Sequence, residues 1–299
     1  MRNPPPSVVS TWPHPNYIDP DSQGASLHVV GITLIVLSAV TVGLRIFVRT
    51  RILHTAGIDD WLILVSIVPA IGMTTSALMG IWYGWGKHIW DSRMEWYKPS
   101  LIVSWVCQML FVVAVTFIKL SICYSYRRLS QHGRFHMIIN LTRLAILCWG
   151  VVFTLTVIFR CWPPEAYWGT QSLRPKECMN ETVLLLCFTM TNLITDIWLV
   201  VVPVPTLYKL QLPFKQRLIL MILMSLGLVA CVASLVRGYY LYKTLVTTYD
   251  VTWEGYNIWL WTAVEVHLFI ITSSVPTLRP LVHRYFPLLI DTHKRLSGG

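Results

Sequence analysis

The stretch AGIDDWLILVSIVPAIGMTTSALMGIWYGW (residues 56–85) sets two carboxylates, Asp59 and Asp60, directly against an oily run with no further charge. About 20 apolar residues in a helix cross the ~30 Å hydrocarbon core of a bilayer, and ionised groups at its edge are costly. The run is therefore a candidate membrane span with a charged pair at its entrance. Working outward, the same pattern recurs. Apolar blocks fall at about 27–48, 60–83, 100–123, 144–162, 183–207, 216–240 and 256–278. The fourth is the shortest. The expected fold is all-α: a polytopic bundle of seven transmembrane helices.

Composition agrees. Of 299 residues, 55% are hydrophobic and 13% are charged, and mean hydropathy is +0.56. A soluble domain carries roughly 25% charged residues. Residues 1–26 read as a Pro-rich polar tail without an apolar signal core, 27–285 as the seven-helix domain, and 286–299 as a short cytosolic tail.

The net charge of +10 is distributed unevenly. Thirteen basic residues lie after blocks 1, 3 and 5 and in the C-terminal tail: Arg49, Arg51, Arg127, Arg128, Arg134, Arg143, Lys209, Lys215, Arg217, Arg279, Arg284, Lys294 and Arg295. Seven lie on the other side: Arg2, Lys87, Arg93, Lys98, Arg174, Lys176 and Lys243. The positive-inside rule then expects the N-terminus outside or lumenal and the C-terminus cytosolic. The basic side reads as a contact with anionic lipid. No folded basic domain is available for a nucleic-acid partner.

On that topology Cys161 and Cys178 flank the outer loop after block 4, on the oxidising side, and form the favoured disulfide; Cys107 with Cys178 is the alternative. Asn180, in NET, is a glycosylation sequon on the outer side, whereas Asn140, in NLT, faces the cytosol. Gly80 and Gly84 make a G-x-x-x-G pair read as close helix packing. His132 and His136 form one H-x-x-x-H box, too few for a membrane di-iron site. No phosphate-binding loop, nucleophile elbow or zinc spacing occurs, so no metal and no cofactor are expected.

Charges inside the blocks are the informative residues, because such groups face a bundle interior and find partners. Two layers are expected. Near the cytosolic face Arg45, Asp59, Asp60 and Lys119 read as structural ion pairs, with Asp59 capping the second helix and Asp60 pairing with Lys119 or Arg45. Toward the outer face Asp196, Glu265, Arg160 and Arg237 surround an expected cavity. Asn192 lies one turn from Asp196, and Trp261, His267 and His88 are near in sequence or depth. A cavity with an apolar wall and a few convergent polar groups suits a lipophilic small molecule. Glu265 and Asp196 are the candidate catalytic pair, Glu265 as the proton donor and Asp196 as the ionised partner.

In order along the chain stand AGIDDWLILVS (56–66), GWGKH (84–88), FIKLSICYSYRRLS (117–130), RCWPPEAYW (160–168), NLITDIWLVVVPVPTLYKLQLP (192–213), ASLVRGYY (233–240) and AVEVHLFIITSSVPTLRPL (263–281). This set resembles the fungal rhodopsin-domain integral membrane family from about residue 30 to 285. The resemblance maps the family's charged positions onto Asp60, Lys119, Asp196, Arg237 and Glu265. Retinal is not expected, because block 7 lacks the Lys a Schiff base needs. Many members of the family are encoded in secondary-metabolite gene clusters.

Three functions follow as expectations. The first is a membrane protein of fungal secondary-metabolite biosynthesis, working beside other pathway enzymes. It would bind a lipophilic intermediate and, if an enzyme, act as a cofactor-free cyclase or isomerase by acid/base chemistry. The second is a receptor-like sensor without retinal. The third is a transport or efflux aid, which the lack of an internal repeat disfavours. An endomembrane such as the endoplasmic reticulum, or the plasma membrane, is the expected site.

Overall fold

The computed structural model describes residues 4–127, 133–169, 177–204 and 214–285. The tail at 286–299, the basic residues Arg128, Arg174, Lys176 and Lys209, and His132 lie outside the described residues. Among the described residues seven long helices run in order: α1 (Ser26–Phe47), α2 (Ile58–Trp82), α3 (Met94–Arg127), α4 (Gly133–Ile158), α5 (Glu181–Val201), α6 (Phe214–Tyr242) and α7 (Val251–Tyr285). Among the described residues, six helices, α1 to α5 and α7, are long and apolar enough to cross a membrane. The chain is thus an all-helical, multi-pass membrane protein. Short π-helical turns, Val48–Ile52 and Lys243–Thr247, extend α1 and α6.

Several helices outrun their apolar blocks. α3 starts at Met94 and ends at Arg127, and α4 starts at Gly133. An apolar window reads only the part in contact with hydrocarbon; backbone hydrogen bonding carries a helix on into polar sequence. The start of α2 explains the opening motif. Gly57 is its N-cap, and the Asp60 carboxylate reaches back to the Gly57 N–H at 3.1 Å. The cap-type bond therefore belongs to Asp60, at the third helical position, where a carboxylate can fold back to the cap. The expectation that Asp59 would cap is corrected: its side chain turns into the bundle.

A disulfide joins Cys161 to Cys178 across a two-residue antiparallel pair, β1 (Cys161–Trp162) with β2 (Glu177–Cys178). Cys107 carries a free thiol. This disulfide marks one end of the bundle. At the same end the turn after α2 uses left-handed glycines: Gly84 has φ +95° and Gly86 φ +86°, and a Cβ on Gly86 would lie 2.8 Å from the Tyr256 ring. Gly84 is therefore a turn residue beyond the helix, and Gly80 packs on the Trp259 ring, so the pair is not a helix-packing G-x-x-x-G motif. The N-terminal segment folds over this end. Asn16 N–H donates to Asp91 at 2.8 Å, Gln23 Nε2 to the Trp253 carbonyl at 2.7 Å, and the Leu27 N–H to the Tyr256 hydroxyl at 2.8 Å.

Tryptophan indoles tie helices laterally. Trp149 Nε1 on α4 donates to Thr191 on α5 at 3.0 Å, Trp198 on α5 to Thr142 on α4 at 3.0 Å, and Trp105 on α3 to the Val157 carbonyl on α4 at 2.9 Å. Each indole N–H so finds an acceptor where water is absent.

Candidate functional site

Three polar assemblies and one cavity account for the charges in the oily runs. At the end opposite the disulfide, Arg45 holds both members of the opening pair. Its Nη2 donates to Asp59 at 2.9 Å, its Nε to Asp60 at 2.8 Å, and its Nη1 to the Ser273 carbonyl on α7 at 2.7 Å. Arg49 adds a second positive charge within 4 Å of both carboxylates. The Asp59 carbonyl accepts from Ser121 Oγ at 2.7 Å, which ties α3 to the same clamp. Lys119 takes no part in it, which corrects its expected pairing with Asp60.

Lys119 instead lies in a mid-bundle network. Because α3 continues to Arg127, Lys119 stands two turns inside the helix end. Its Nζ donates to the Asn192 carbonyl (3.1 Å), Asn192 Oδ1 (2.8 Å) and Thr195 Oγ1 (2.5 Å), and lies 2.8 Å from Asp196 Oδ1. Asn192 Nδ2 donates to Asp196 Oδ2 at 3.1 Å and to Glu265 Oε1 at 2.8 Å. Ser234 Oγ donates to Asp196 Oδ2 at 2.9 Å. Arg237 Nε completes the row on Glu265 Oε2 at 2.6 Å. The order is Lys119, Asp196, Asn192, Glu265, Arg237: two ion pairs bridged by one amide, all buried. Since Lys119 can only donate, Asn192 must turn its oxygen to it and its N–H groups to the two carboxylates, which fixes the amide orientation.

Toward the disulfide end Arg237 opens onto a cavity of about 100 Å³. Its wall is largely aromatic and aliphatic: Trp85 beyond α2, Phe111 on α3, Phe188 on α5, Leu241 on α6 and Trp259 on α7. Trp85 and Trp259 stack at 4.4 Å, and the Arg237 guanidinium lies over the Phe111 ring at 4.9 Å. Polar groups are few: Ser104, Gln108, Thr189, Arg237, Tyr167 and Glu181 among them. Arg160 stands behind this wall. Its Nη1 donates to Glu181 at 3.0 Å and its Nη2 to Gln108, while its guanidinium lies 4.7 Å over the Tyr167 ring. Burial first, and then the Glu181 charge, push the Tyr167 phenol well above its ordinary range. It therefore stays neutral and donates to Glu181 Oε1 at 3.2 Å.

Of the residues expected around the cavity, Arg237 lines it. Asp196, Glu265 and Asn192 lie behind Arg237 in the network, and Arg160 lies behind Gln108 and Glu181. His267 faces the other way, its ring nitrogens 2.8 Å from Ser38 Oγ on α1 and 2.9 Å from Thr74 Oγ1 on α2. His88 is at the disulfide end, stacked between Trp90 (4.5 Å) and Trp253 (4.1 Å), with Nδ1 2.5 Å from Asp250. Trp261 is partly exposed and absent from the cavity wall, where Trp259 stands. Trp261 was expected on the face of Glu265, one turn away; two residues from Trp259 the helix has turned about 200°, so it does not share the wall that Trp259 builds. Ser104 and Gln108 were missed. Their signal was available: Gln108 is a polar amide inside an apolar block, with Ser104 one turn earlier on the same face. Among the described residues no group of His, Cys, Asp and Glu is arranged to hold a metal ion.

The fungal rhodopsin domain model matches residues 44–284. The chain belongs to the fungal rhodopsin domain family. Three relatives are similar to it over most of its length. It is 24% identical over 282 residues to the polyenoic acids biosynthesis gene cluster protein Ba17b of Metarhizium anisopliae, covering 89% of this chain and 76% of that protein. It is 26% identical over 290 residues to the wortmanamides biosynthesis cluster protein C of Talaromyces wortmannii, covering 94% and 76%. It is 25% identical over 262 residues to the receptor GIN3 of Arthrobotrys oligospora, covering 86% of this chain and 62% of the receptor. This family member therefore has relatives both in biosynthesis clusters and among receptors, and the charged row from Lys119 to Arg237 lies inside the matched region.

Proposed function

We propose that this chain is a seven-span protein of a fungal secondary-metabolite pathway. It binds a lipophilic intermediate in the cavity between α3, α5, α6 and α7. The observation that carries this reading is the cavity itself: an aromatic and aliphatic wall with a small polar group set against a neutralised, fully paired network. α6 is the seventh span, which sets the N-terminus and the disulfide end outside or lumenal and the Arg45 clamp at the cytosolic face. Asn180 then carries a glycan. Its Oδ1 caps α5 by accepting from the Thr182 and Val183 N–H groups, while its exposed amide nitrogen remains available for the sugar.

Binding is favoured over acid/base chemistry as the primary role. Glu265 accepts from both Arg237 and Asn192, and Asp196 accepts from Ser234 and Asn192 beside Lys119. Carboxylates so paired are engaged by protein donors and held away from a ligand. The catalytic version requires Arg237 to swing off Glu265 when the intermediate enters. Leu185, on α5, also lines the cavity. The test is replacement of the native gene by Leu185→Trp, which fills the cavity, and by Glu265→Gln and Asp196→Asn. The binding role expects Leu185→Trp, at normal protein level, to accumulate one pathway intermediate. An unchanged metabolite profile would sink it. The catalytic version expects the same block from Glu265→Gln with ligand binding retained.

A receptor role is the second reading, supported by the similarity to GIN3 and by a continuous polar row leading from the cavity wall inward to Lys119. Recruitment of a G-protein subunit on addition of the pathway product is its expected sign.

A further inference from the structure

Every third or fourth residue on one face of α3 meets the cavity region: Ser100, Ser104 and Gln108 follow one another at single-turn spacing. The outer two are engaged. Ser100 Oγ accepts from Trp85 Nε1 at 2.6 Å, and Gln108 Oε1 accepts from Arg160. The middle one is not. Ser104 lines the cavity, is only 4% exposed, and its Oγ has no hydrogen-bond partner among the described residues. A buried hydroxyl left unpaired is costly to keep, which points to a partner that a ligand supplies.

The neighbouring amide gives the chemistry of the missing partner. A guanidinium only donates, so Arg160 obliges Gln108 to present its oxygen there, and Gln108 Nε2 keeps its N–H donors for another acceptor. Ser104 O–H and Gln108 N–H together match the two lone pairs of a carbonyl oxygen. The charge state of the surroundings decides the rest. Among the described residues both cations beside the cavity already hold carboxylates, Arg160 on Glu181 and Arg237 on Glu265. An anionic ligand would bring a charge with no free counterion among the described residues, and so would a cationic one.

We infer that the cavity takes the end of an uncharged, carbonyl-bearing apolar molecule, its oxygen set between Ser104 and Gln108 and its carbon skeleton against the Phe111, Phe188 and Trp259 rings. This rests on the binding reading above and adds the ligand class. An engineered apolar cavity of about 150 Å³ holds benzene, so a cavity of about 100 Å³ takes only the carbonyl-bearing edge of such a ring, about four heavy atoms.

The test uses the full chain in lipid nanodiscs with three probes built on one six-membered ring: cyclohexanone carrying a ¹³C carbonyl, cyclohexane and cyclohexanecarboxylate. Leu185→Trp, which blocks the cavity, separates specific binding from partition into lipid. Cyclohexanone is expected to bind saturably with its infrared carbonyl band lowered relative to lipid. Ser104→Ala, which removes a hydroxyl with no protein partner, is expected to weaken cyclohexanone roughly two- to tenfold, the scale of one hydrogen bond, to move the band back up, and to leave cyclohexane unchanged. If cyclohexane and cyclohexanone bind alike, and Ser104→Ala alters neither affinity nor band, the apolar site stands and the carbonyl slot is wrong. Tighter binding of cyclohexanecarboxylate overturns the uncharged class. If no probe binds the native chain more than Leu185→Trp, the binding reading itself falls.

Discussion

Lys119 meets four oxygens and Arg237 meets three, and each of them lies on a neighbouring helix. Removing one partner of such a buried pair leaves the other uncompensated, which costs about 3–5 kcal/mol, whereas removing both recovers much of that loss. Arg237→Met is therefore expected to lower stability in chemical denaturation by about 3–5 kcal/mol, and Arg237→Met combined with Glu265→Gln to lower it by less. A simple sum of the two single effects would show that the pair is not coupled. Arg45 invites a sharper comparison, since a single guanidinium reaches Asp59, Asp60 and the Ser273 carbonyl from three nitrogens. Arg45→Lys keeps the charge but not the fork. The expected loss is about 1–3 kcal/mol, read as a lowered melting temperature, and an unshifted transition would contradict it.

At the scale of elements, the α2–α7 contact depends on glycine at two places where an indole lies against backbone. A Cβ on Gly80 would fall 1.9 Å from the Trp259 ring, and one on Gly255 2.1 Å from the Trp85 ring. Gly80→Ala and Gly255→Ala are each expected to destabilise by about 1–3 kcal/mol through overpacking and to disturb probe binding, because both indoles line the cavity. Gly43, in α1, has nothing within 4 Å of its absent Cβ. Gly43→Ala is expected to be neutral or to gain up to about 1 kcal/mol, so three equal thermal shifts would refute the packing argument. The helices were legible in the sequence because hydrocarbon demands unbroken apolar runs, and the buried charges were legible because they interrupt those runs. Their partners were not. The depth of Lys119 was read from a block ending at residue 123, while α3 continues to Arg127, so it meets α5 rather than the Asp60 clamp. Ser104 and Gln108 were passed over because an uncharged polar residue barely lowers a run's hydropathy, although burial makes it costly.

For the molecule as a whole, orientation is the property on which ligand access turns. With the disulfide end outside, Asn180→Gln is expected to remove a glycosidase-sensitive mobility shift, while Asn140→Gln leaves mobility unchanged. The reverse pattern would invert the topology and place the cavity at the cytosolic side. The first and last helices are also joined along their length. Tyr256 bonds Ser26 and Leu27, His267 bonds Ser38, and the Ser273 carbonyl accepts from Arg45, all across sequence separations of 228–230 residues.

That seam imposes a timetable. At roughly 5–20 residues per second of synthesis, α1 waits about ten to fifty seconds after its own translation before α7 exists to receive it. During that interval Arg45 has only its near neighbours, Asp59 and Asp60, to neutralise it, and these emerge within 15 residues. The acidic pair at the mouth of α2 is thus the first counter-charge the growing chain offers Arg45, in place well before α7 closes the seam.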